Sequence, residues 1–195
     1  MSFLFYVSHP NVVVDPSVSV PEWGLSELGR HRAEAMLEQP WMSTVDVIVS
    51  SPEMKAMETA EVLATHLSQP VDVLIDSTEV DRSATGFVPH ERHEALADRL
   101  FAAPRESAGG WERAADAQER IWNAFAPPMA QVRSGLTVAA VGHGGVGTLL
   151  LCRLLGVEID RSLDQAGQGH YWAWDGATEE VVHQWRPIDE IAGPG

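Results

Sequence analysis

The 195-residue chain contains one cysteine and few basic side chains. Cys152 cannot form a disulfide within the chain, and a cysteine-rich zinc site is excluded. The apolar neighbours of Cys152 predict a buried, unreactive thiol. Thirteen Lys and Arg residues against 28 Asp and Glu residues give a net charge of −15, which argues against nucleic acid and anionic membranes as partners. A small anionic ligand remains compatible with this charge, because a few cations and amide dipoles can dominate one pocket.

Long hydrophobic runs and compact metal-ligand spacings are also missing. No stretch approaches about 18 uninterrupted apolar residues, so we expect no transmembrane helix and no membrane partner. Residues 1–7 lack the regions of a secretory signal, and with the single cysteine this favours a reducing cytoplasm. No spacing such as H-x-x-x-H occurs, so we expect neither a metal nor another cofactor. A metal site that combines His9, His143, Glu79 and Asp81 is a less favoured alternative.

Hydrophobic periodicity predicts alternating strands and helices. With 45% apolar and 21% charged residues the chain has the composition of a globular protein, and we expect one domain over residues 1–195. Apolar runs predict buried parallel strands at 3–7, 45–49, 71–75 and 137–141. Intervening patterns predict helices at 27–37, from the Ser51-Pro52 start, at 90–101, at 111–125 and at 146–155. Pro127-Pro128 should end the fourth of these helices. The alternation predicts an α/β fold, a three-layer α/β/α sandwich with a mostly parallel central sheet.

The C-terminal part of the sequence has a different period. Residues 170–174 and 181–185 alternate every second residue, which predicts a β-hairpin at a sheet edge. Trp172, Trp174 and Trp185 would then pack on one face of the sheet. An alternative is that these tryptophans cover a subunit interface in a homodimer.

Two histidines directly follow predicted strands. His9 follows strand 3–7, and His143 follows strand 137–141. Ligands of parallel α/β sheets bind beyond the carboxyl ends of the strands, where both imidazoles are expected. Lys55, in the first turn of the helix after the second strand, should reach the same edge. Each residue alone is more typical of a solvated turn or helix surface, and their convergence is what favours a site.

Three motifs occur in order along the chain. They are Ser8-His9-Pro10, the segment from Ser50-Ser51-Pro52 to Thr59-Ala60, and Gly142-His143-Gly144-Gly145. Together with the helix starts at 25–30 and 111–120, they resemble the histidine phosphatase superfamily, also called phosphoglycerate mutase-like, over residues 3 to about 160. The resemblance implies that His9 is the nucleophile and that His143 contacts the phosphoryl group. It implies a general acid in the loop after the third strand, where Glu79 is the best match and Asp81 the alternative.

The sequence departs from the family pattern around the phosphate. The family motif Arg-His-Gly is replaced by Ser8-His9-Pro10, and Lys55 stands at the second arginine position. A charge-assisted hydrogen bond contributes roughly 1.5–3 kcal/mol, so one lost arginine could weaken binding by about one to two orders of magnitude. Arg82, three residues after Glu79, could compensate for the missing arginine. Backbone amides at the start of the 146–155 helix provide a further anion site. The implied phosphate-binding residues are Ser8, Asn11, Lys55, Arg82 and Gly144.

These observations favour a metal-independent phosphatase. A neutral imidazole can attack phosphorus and hold the phosphoryl group as phosphohistidine, and cations and amides then stabilise the charged oxygens. The expected partner is a small phosphorylated substrate, a phosphomonoester or a phosphohistidine. One alternative is a catalytically weakened or inactive family member that binds phosphate-bearing ligands. Another is a dinucleotide-binding protein, because residues 142–147 also satisfy G-x-G-x-x-G.

Overall fold

The computed structural model describes residues 1–191 and contains one six-stranded sheet. The strands are β1 Phe3–Ser8, β2 Val47–Ser50, β3 Val71–Val73, β4 Val138–Gly142, β5 His170–Asp175 and β6 Glu180–Pro187. Their order across the sheet is β3-β2-β4-β1-β5-β6. The first four strands in this order are parallel, and β5 and β6 are antiparallel additions. The mostly parallel sheet predicted from the sequence is therefore confirmed.

Helices cover both faces of the sheet. They are α1 Glu27–Ala35, α2 Met54–Leu67, α3 His90–Ala102, α4 Ala114–Arg133 and α5 Gly144–Leu154. Alternation along β1 sends Leu4 and Tyr6 into the core with α3, α4 and α5, and Phe5 and Val7 into the core with α2. Helix α1 packs against α2. This arrangement confirms the three-layer α/β/α sandwich.

Helix α4 continues past the residues expected to end it. Pro127 and Pro128 lie inside this 20-residue helix, so the predicted stop is wrong. Proline removes a helical hydrogen bond and crowds the preceding turn. The helix continues because Phe125, Met129 and Val132 maintain its apolar face and are buried in the core. Tertiary packing thus outweighs the local cost of the two prolines.

Other boundaries shift by a few residues. Helix α1 ends at Ala35, and a 3-10 turn, Met36–Glu38, replaces its predicted last residues. Strand β3 is only three residues long. Helix α2 starts at Met54 with Glu53 at its N-cap, so the predicted Ser51-Pro52 start is wrong. Ser51 faces His143 instead, as its hydrogen bond shows.

The C-terminal hairpin is present as predicted. Strands β5 and β6 pair at the sheet edge, and Trp172 and Trp174 are almost completely buried within the chain. Trp185 packs against the same cluster. Cys152 is buried, as expected. Within residues 1–191, no helix is both long and apolar enough to cross a bilayer.

The two prolines of α4 give a stability prediction. Pro127 is exposed, so Pro127→Ala restores the missing helical hydrogen bond without opening a cavity. Alanine is favoured over proline in a helix interior by about 3 kcal/mol, and greater freedom of the unfolded chain offsets about 0.4–1 kcal/mol of this. We expect Pro127→Ala to raise the free energy of unfolding, measured by urea titration, by about 2 kcal/mol.

Pro16→Ala is the matched control for this substitution. Pro16 is exposed in the turn closed by the Val18 N–H and the Asp15 carbonyl, where its fixed φ fits the fold. Pro16→Ala should lower the free energy of unfolding by about 0.4–1 kcal/mol. A lower urea midpoint for Pro127→Ala would contradict the account of α4.

Candidate active site

The topology brings the two strand-end histidines together. Strands β1 and β4 are adjacent and parallel, so the turns that follow them leave the sheet at one edge. The His9 amide donates to the Gly142 carbonyl at 3.0 Å, which extends the pairing into the turn. The ring centroids of His9 and His143 are 5.4 Å apart, with an edge-to-face angle of 69°.

The His9 ring is held in one orientation and one protonation state. Its side chain is 8% exposed, and its Nδ1 lies 2.9 Å from the Pro10 carbonyl oxygen. A carbonyl oxygen only accepts hydrogen bonds, so Nδ1 carries the proton and Nε2 keeps its lone pair. Burial and the nearby His143 lower the pKa of His9 from 6.5 to about 3. The imidazole is therefore neutral at physiological pH.

His143 is completely buried behind His9. Its Nε2 is 2.7 Å from Ser51 Oγ, and the Ser51 hydroxyl has no other acceptor among the described residues. Nε2 also lies 3.5 Å from a carboxylate oxygen of Glu53, so the ring contacts polar partners through Nε2 rather than Nδ1. Within residues 1–191 this buried Nδ1 has no hydrogen-bond partner. Burial lowers the pKa of His143, although the charges of Glu53 and Glu79 oppose the shift.

The Tyr6 hydroxyl fixes the turn that carries His143. It accepts from the His143 amide at 3.0 Å and donates to the His143 carbonyl at 2.9 Å. A side chain at Gly142 would collide with this hydroxyl, because an added Cβ would lie 2.4 Å from it. The glycine before His143 is thus required by close packing against Tyr6.

Lys55 is paired inside the protein rather than free. Its side chain is 3% exposed, and Nζ donates to the Val20 carbonyl at 2.9 Å and to the Glu53 carboxylate. Burial alone would raise the pKa of Glu53, but His143 and Lys55 outweigh it and lower the pKa to about 2. Glu53 is therefore ionised and balances the charge of Lys55. The other carboxylate oxygen of Glu53 accepts from the Glu79 amide at 2.8 Å.

The carboxylate of Glu79 binds the backbone amides at the helix start where the sequence predicted an anion site. Its carboxylate accepts from the N–H groups of Gly145 and Val146 at the start of α5, both at 3.0 Å, and from Val80 at 2.8 Å. Burial raises the pKa of Glu79, but the charges of His143 and Arg82 and these amides lower it overall. The anion at this helix N-terminus is thus an ionised side chain of the protein itself.

One cavity of about 690 Å³ opens beside His9. The site residues that it brings together are His9, Lys55, Glu79, Arg82 and Gly144. Asn11 does not line it, and its Oδ1 accepts from Arg32 at 2.9 Å. Asp81 is exposed and bonds to the Ser83 amide, so of the two candidate acids only Glu79 faces the cavity.

Ser8 does not line the cavity itself but holds Gln165, a cavity residue that was not predicted from the sequence. Its Oγ donates to Gln165 Oε1 at 2.5 Å and accepts from the His170 amide at 3.0 Å. Gln165 lines the cavity, and its Nε2 lies where a side chain on Gly144 would be, 2.1 Å from an added Cβ. No local motif marks Gln165, because it meets Ser8 across 157 positions of sequence.

Arg82 lines the same cavity together with His93 and Trp111. Its Nη1 is 2.5 Å from His93 Nε2, and its guanidinium lies 5.6 Å from the centre of the Trp111 ring. The charge of Arg82 also helps to lower the pKa of Glu79. Within residues 1–191, no group of three or more His, Cys, Asp or Glu residues is arranged to hold a metal ion.

Comparison with known proteins identifies the family. The sequence model of the histidine phosphatase superfamily (branch 1) matches residues 18–177. The chain belongs to the histidine phosphatase superfamily. The matched segment contains Lys55, Glu79 and His143, whereas β1 and the altered Ser8-His9-Pro10 motif precede it. No curated protein sequence matches this chain.

Solved structures share the histidine phosphatase fold along the whole chain. The mycobacterial glucosyl-3-phosphoglycerate phosphatase in complex with inorganic phosphate has a TM-score of 0.75 at 21% identity, covering 97% of this chain and 100% of that one. YhfR from Bacillus stearothermophilus has a TM-score of 0.76 at 20% identity, with 98% of each chain covered. The alpha-ribazole phosphatase from Shigella flexneri has a TM-score of 0.71 at 16% identity, covering 99% and 100%.

Family membership also bears on the dinucleotide alternative. The glycine-rich turn 142–147 lies after the strand that carries His143, in a chain of the histidine phosphatase superfamily. The amides of Gly145 and Val146, which a pyrophosphate would need, are bonded to Glu79. Both observations argue against a dinucleotide site at this turn.

The buried neutral state of His9 predicts a pH-dependent stability. The unfolded chain takes up a proton at His9 below pH 6.5, whereas the folded chain does so only near pH 3. Acidification between these values therefore favours unfolding. We expect His9→Asn to reduce the slope of unfolding free energy against pH by about 1.2 kcal/mol per unit between about pH 5 and 6.

Urea titrations at several pH values measure this slope. His66→Asn, at an exposed position on α2, is the control and should keep the wild-type slope. An unchanged slope in His9→Asn would show that His9 is protonated in the folded protein.

Proposed function

We propose that this protein is a metal-independent phosphatase that hydrolyses phosphomonoesters through a phosphohistidine on His9. The observation that carries the proposal is the hydrogen bond from His9 Nδ1–H to the Pro10 carbonyl. It leaves a neutral imidazole with the lone pair of Nε2 available at the edge of a cavity that also contains Lys55 and Glu79. Membership of the histidine phosphatase superfamily supports the same chemistry.

The reaction has two displacements at phosphorus. In the first, His9 Nε2 forms a bond to phosphorus while the ester P–O bond breaks, and the departing oxygen takes up a proton. In the second, a water oxygen attacks the phosphorus, the N–P bond breaks, and free phosphate leaves. His143 Nδ1 is buried and without a partner among the described residues. We propose that it carries a proton and donates to a non-bridging oxygen in both steps.

Glu79 donates the proton that the departing ester oxygen takes up, and it recovers a proton from the attacking water. In the ligand-free protein it is ionised, because the amides of α5 and nearby positive charges hold its pKa low. A phosphate group that enters beside it raises this pKa by like-charge repulsion, so Glu79 becomes protonated when substrate binds. It then donates to the departing oxygen and, as a carboxylate, accepts a proton from the attacking water.

Gln165 takes part of the role of the arginine that precedes the nucleophile in the family. Ser8 holds the amide oxygen of Gln165, so the NH₂ group remains available to a phosphate oxygen. A neutral donor contributes about 0.5–1.5 kcal/mol, less than the roughly 1.5–3 kcal/mol of a charged one. We therefore expect weaker phosphate capture than an arginine would give.

One observation favours the alternative of a catalytically weakened member. The charge of Lys55 is balanced by Glu53, and Glu79 is itself an anion next to His9. Phosphate must therefore enter a site whose fixed charges are compensated before it arrives. Such a site binds phosphate-bearing ligands with low affinity and turns them over slowly.

Replacement of His9 tests the nucleophile. We expect His9→Asn to reduce kcat/KM for p-nitrophenyl phosphate at least about a thousandfold, because the attacking nitrogen is lost. Rapid mixing followed by intact-protein mass spectrometry should detect one added phosphoryl group in the wild type and none in the variant. His66→Asn should retain activity and phosphorylation. Turnover that survives in His9→Asn, or that EDTA abolishes and zinc or magnesium restores, would reject the mechanism.

Gln165 can be tested by a near-isosteric change. We expect Gln165→Leu to lower kcat/KM about tenfold through loss of the amide donor, mainly by raising KM. Gln165→Glu should be more harmful, because a carboxylate repels phosphate. Gln184→Leu, at an exposed position on β6, is the control. Wild-type kinetics in both Gln165 variants would show that this amide does not contact substrate.

A further inference from the structure

The cavity beside His9 has a polar end and an apolar wall. The polar end contains His9, Lys55 and Glu79. The wall is built from the irregular segment after β1, the loop after Glu79, and α3 with the residues that follow it. Its main apolar side chains are Val20, Trp23, Phe87, Val88, Leu100 and Trp111, and the same segments also contribute the polar side chains of Arg82, His93 and Glu94.

The aromatic rings of this wall present carbon surface to the cavity. The Trp23 indole donates its N–H to the Asp15 carbonyl at 2.9 Å, and the Trp111 indole donates to Thr85 Oγ1 at 2.9 Å. Both polar groups are thus used by the protein. The rings of Trp23 and Phe87 lie 5.7 Å apart and join the first segment to the second. Phe87 is 41% exposed, so its ring has surface free for a ligand.

Two of the three Lys and Arg side chains at the cavity already face carboxylates. Lys55 is paired with Glu53. Arg161 contacts Glu94 at 2.6 Å and also Asp98. Among the described residues, Arg82 contacts His93 Nε2 and the Trp111 ring instead of a carboxylate. A second anionic group on the substrate would therefore meet compensated charges at Lys55 and Arg161 beside an apolar wall, which makes its desolvation costly.

We propose that the substrate is a phosphomonoester of an apolar alcohol that carries a compact aromatic group. The phosphate lies at His9, and one or two fused rings pack against Trp23, Phe87 and Trp111. A volume of about 690 Å³ is sufficient for both parts. Phosphorylated substrates with a carboxylate or several hydroxyl groups fit this wall poorly. Turnover of the substrate rests on the proposed phosphatase function, whereas the binding preference does not.

Binding is tested with phosphonates, which cannot be hydrolysed. Calorimetric titration of the full chain should give about tenfold tighter binding of 1-naphthylmethylphosphonate than of methylphosphonate, because only the former buries a ring. Phe87→Ala should lose most of this ratio, and Phe87→Leu should keep part of it. Ile75→Ala, at an exposed position outside the cavity, is the control. Equal binding of the two phosphonates, or no binding of either, would overturn the proposal.

Turnover is tested with a matched pair of esters. Ethyl phosphate and 2-(1-naphthyl)ethyl phosphate have similar leaving groups, so a difference in kcat/KM measures the contribution of contacts between the naphthyl group and the apolar wall. We expect about a tenfold preference for the naphthyl ester, abolished by Phe87→Ala. A preference for 3-phosphoglycerate over ethyl phosphate would overturn the substrate class. Tight naphthyl phosphonate binding without hydrolysis of either ester would reject the phosphatase function and leave the binding preference standing.

Discussion

The hydrogen bond between His9 and its neighbour Pro10 determines what the site can do. A histidine at the end of β1 could point a protonated ring, or either neutral tautomer, at the cavity. Burial removes the charged form, and the Pro10 carbonyl requires a proton on Nδ1. Proline also fixes its own φ, one of the torsions that place this carbonyl. Pro10, which stands where the family motif has glycine, thus restricts the geometry on which the proposed nucleophile, His9 Nε2, depends.

The rest of the site is organised around compensated charge. Glu53 is paired with Lys55 and also accepts from the Glu79 amide, while Glu79 holds the N-terminus of α5. These contacts link the turns after β2, β3 and β4 through two carboxylates. Removal of either partner would leave the other charge buried and uncompensated, which destabilises the ligand-free protein. In the proposed mechanism, phosphate binding therefore depends on His143 and Gln165 as hydrogen-bond donors and on a change in the protonation of Glu79.

Features that depend on period and on strand ends could be predicted from the sequence. The strands that carry His9 and His143 are long apolar runs, and the parallel sheet then requires their turns to share an edge. The continuation of α4 through Pro127 could not be predicted, because core contacts of the following turn decide it. Gln165 and Glu53 could not be assigned either. Gln165 is positioned by Ser8, which is distant in sequence. The Glu53 carboxylate turns back onto Lys55, two residues along the chain, and no sequence pattern indicates this contact.

The protonation state of His9 is the most direct test of this account. Nitrogen-15 NMR of the imidazoles in the wild type and in His9→Asn assigns the His9 resonances and distinguishes its tautomers. At about pH 6, below the ordinary histidine pKa of 6.5, the account predicts a neutral ring with the proton on Nδ1 and an unprotonated Nε2. A positively charged ring, or a neutral ring with its proton on Nε2, would contradict it.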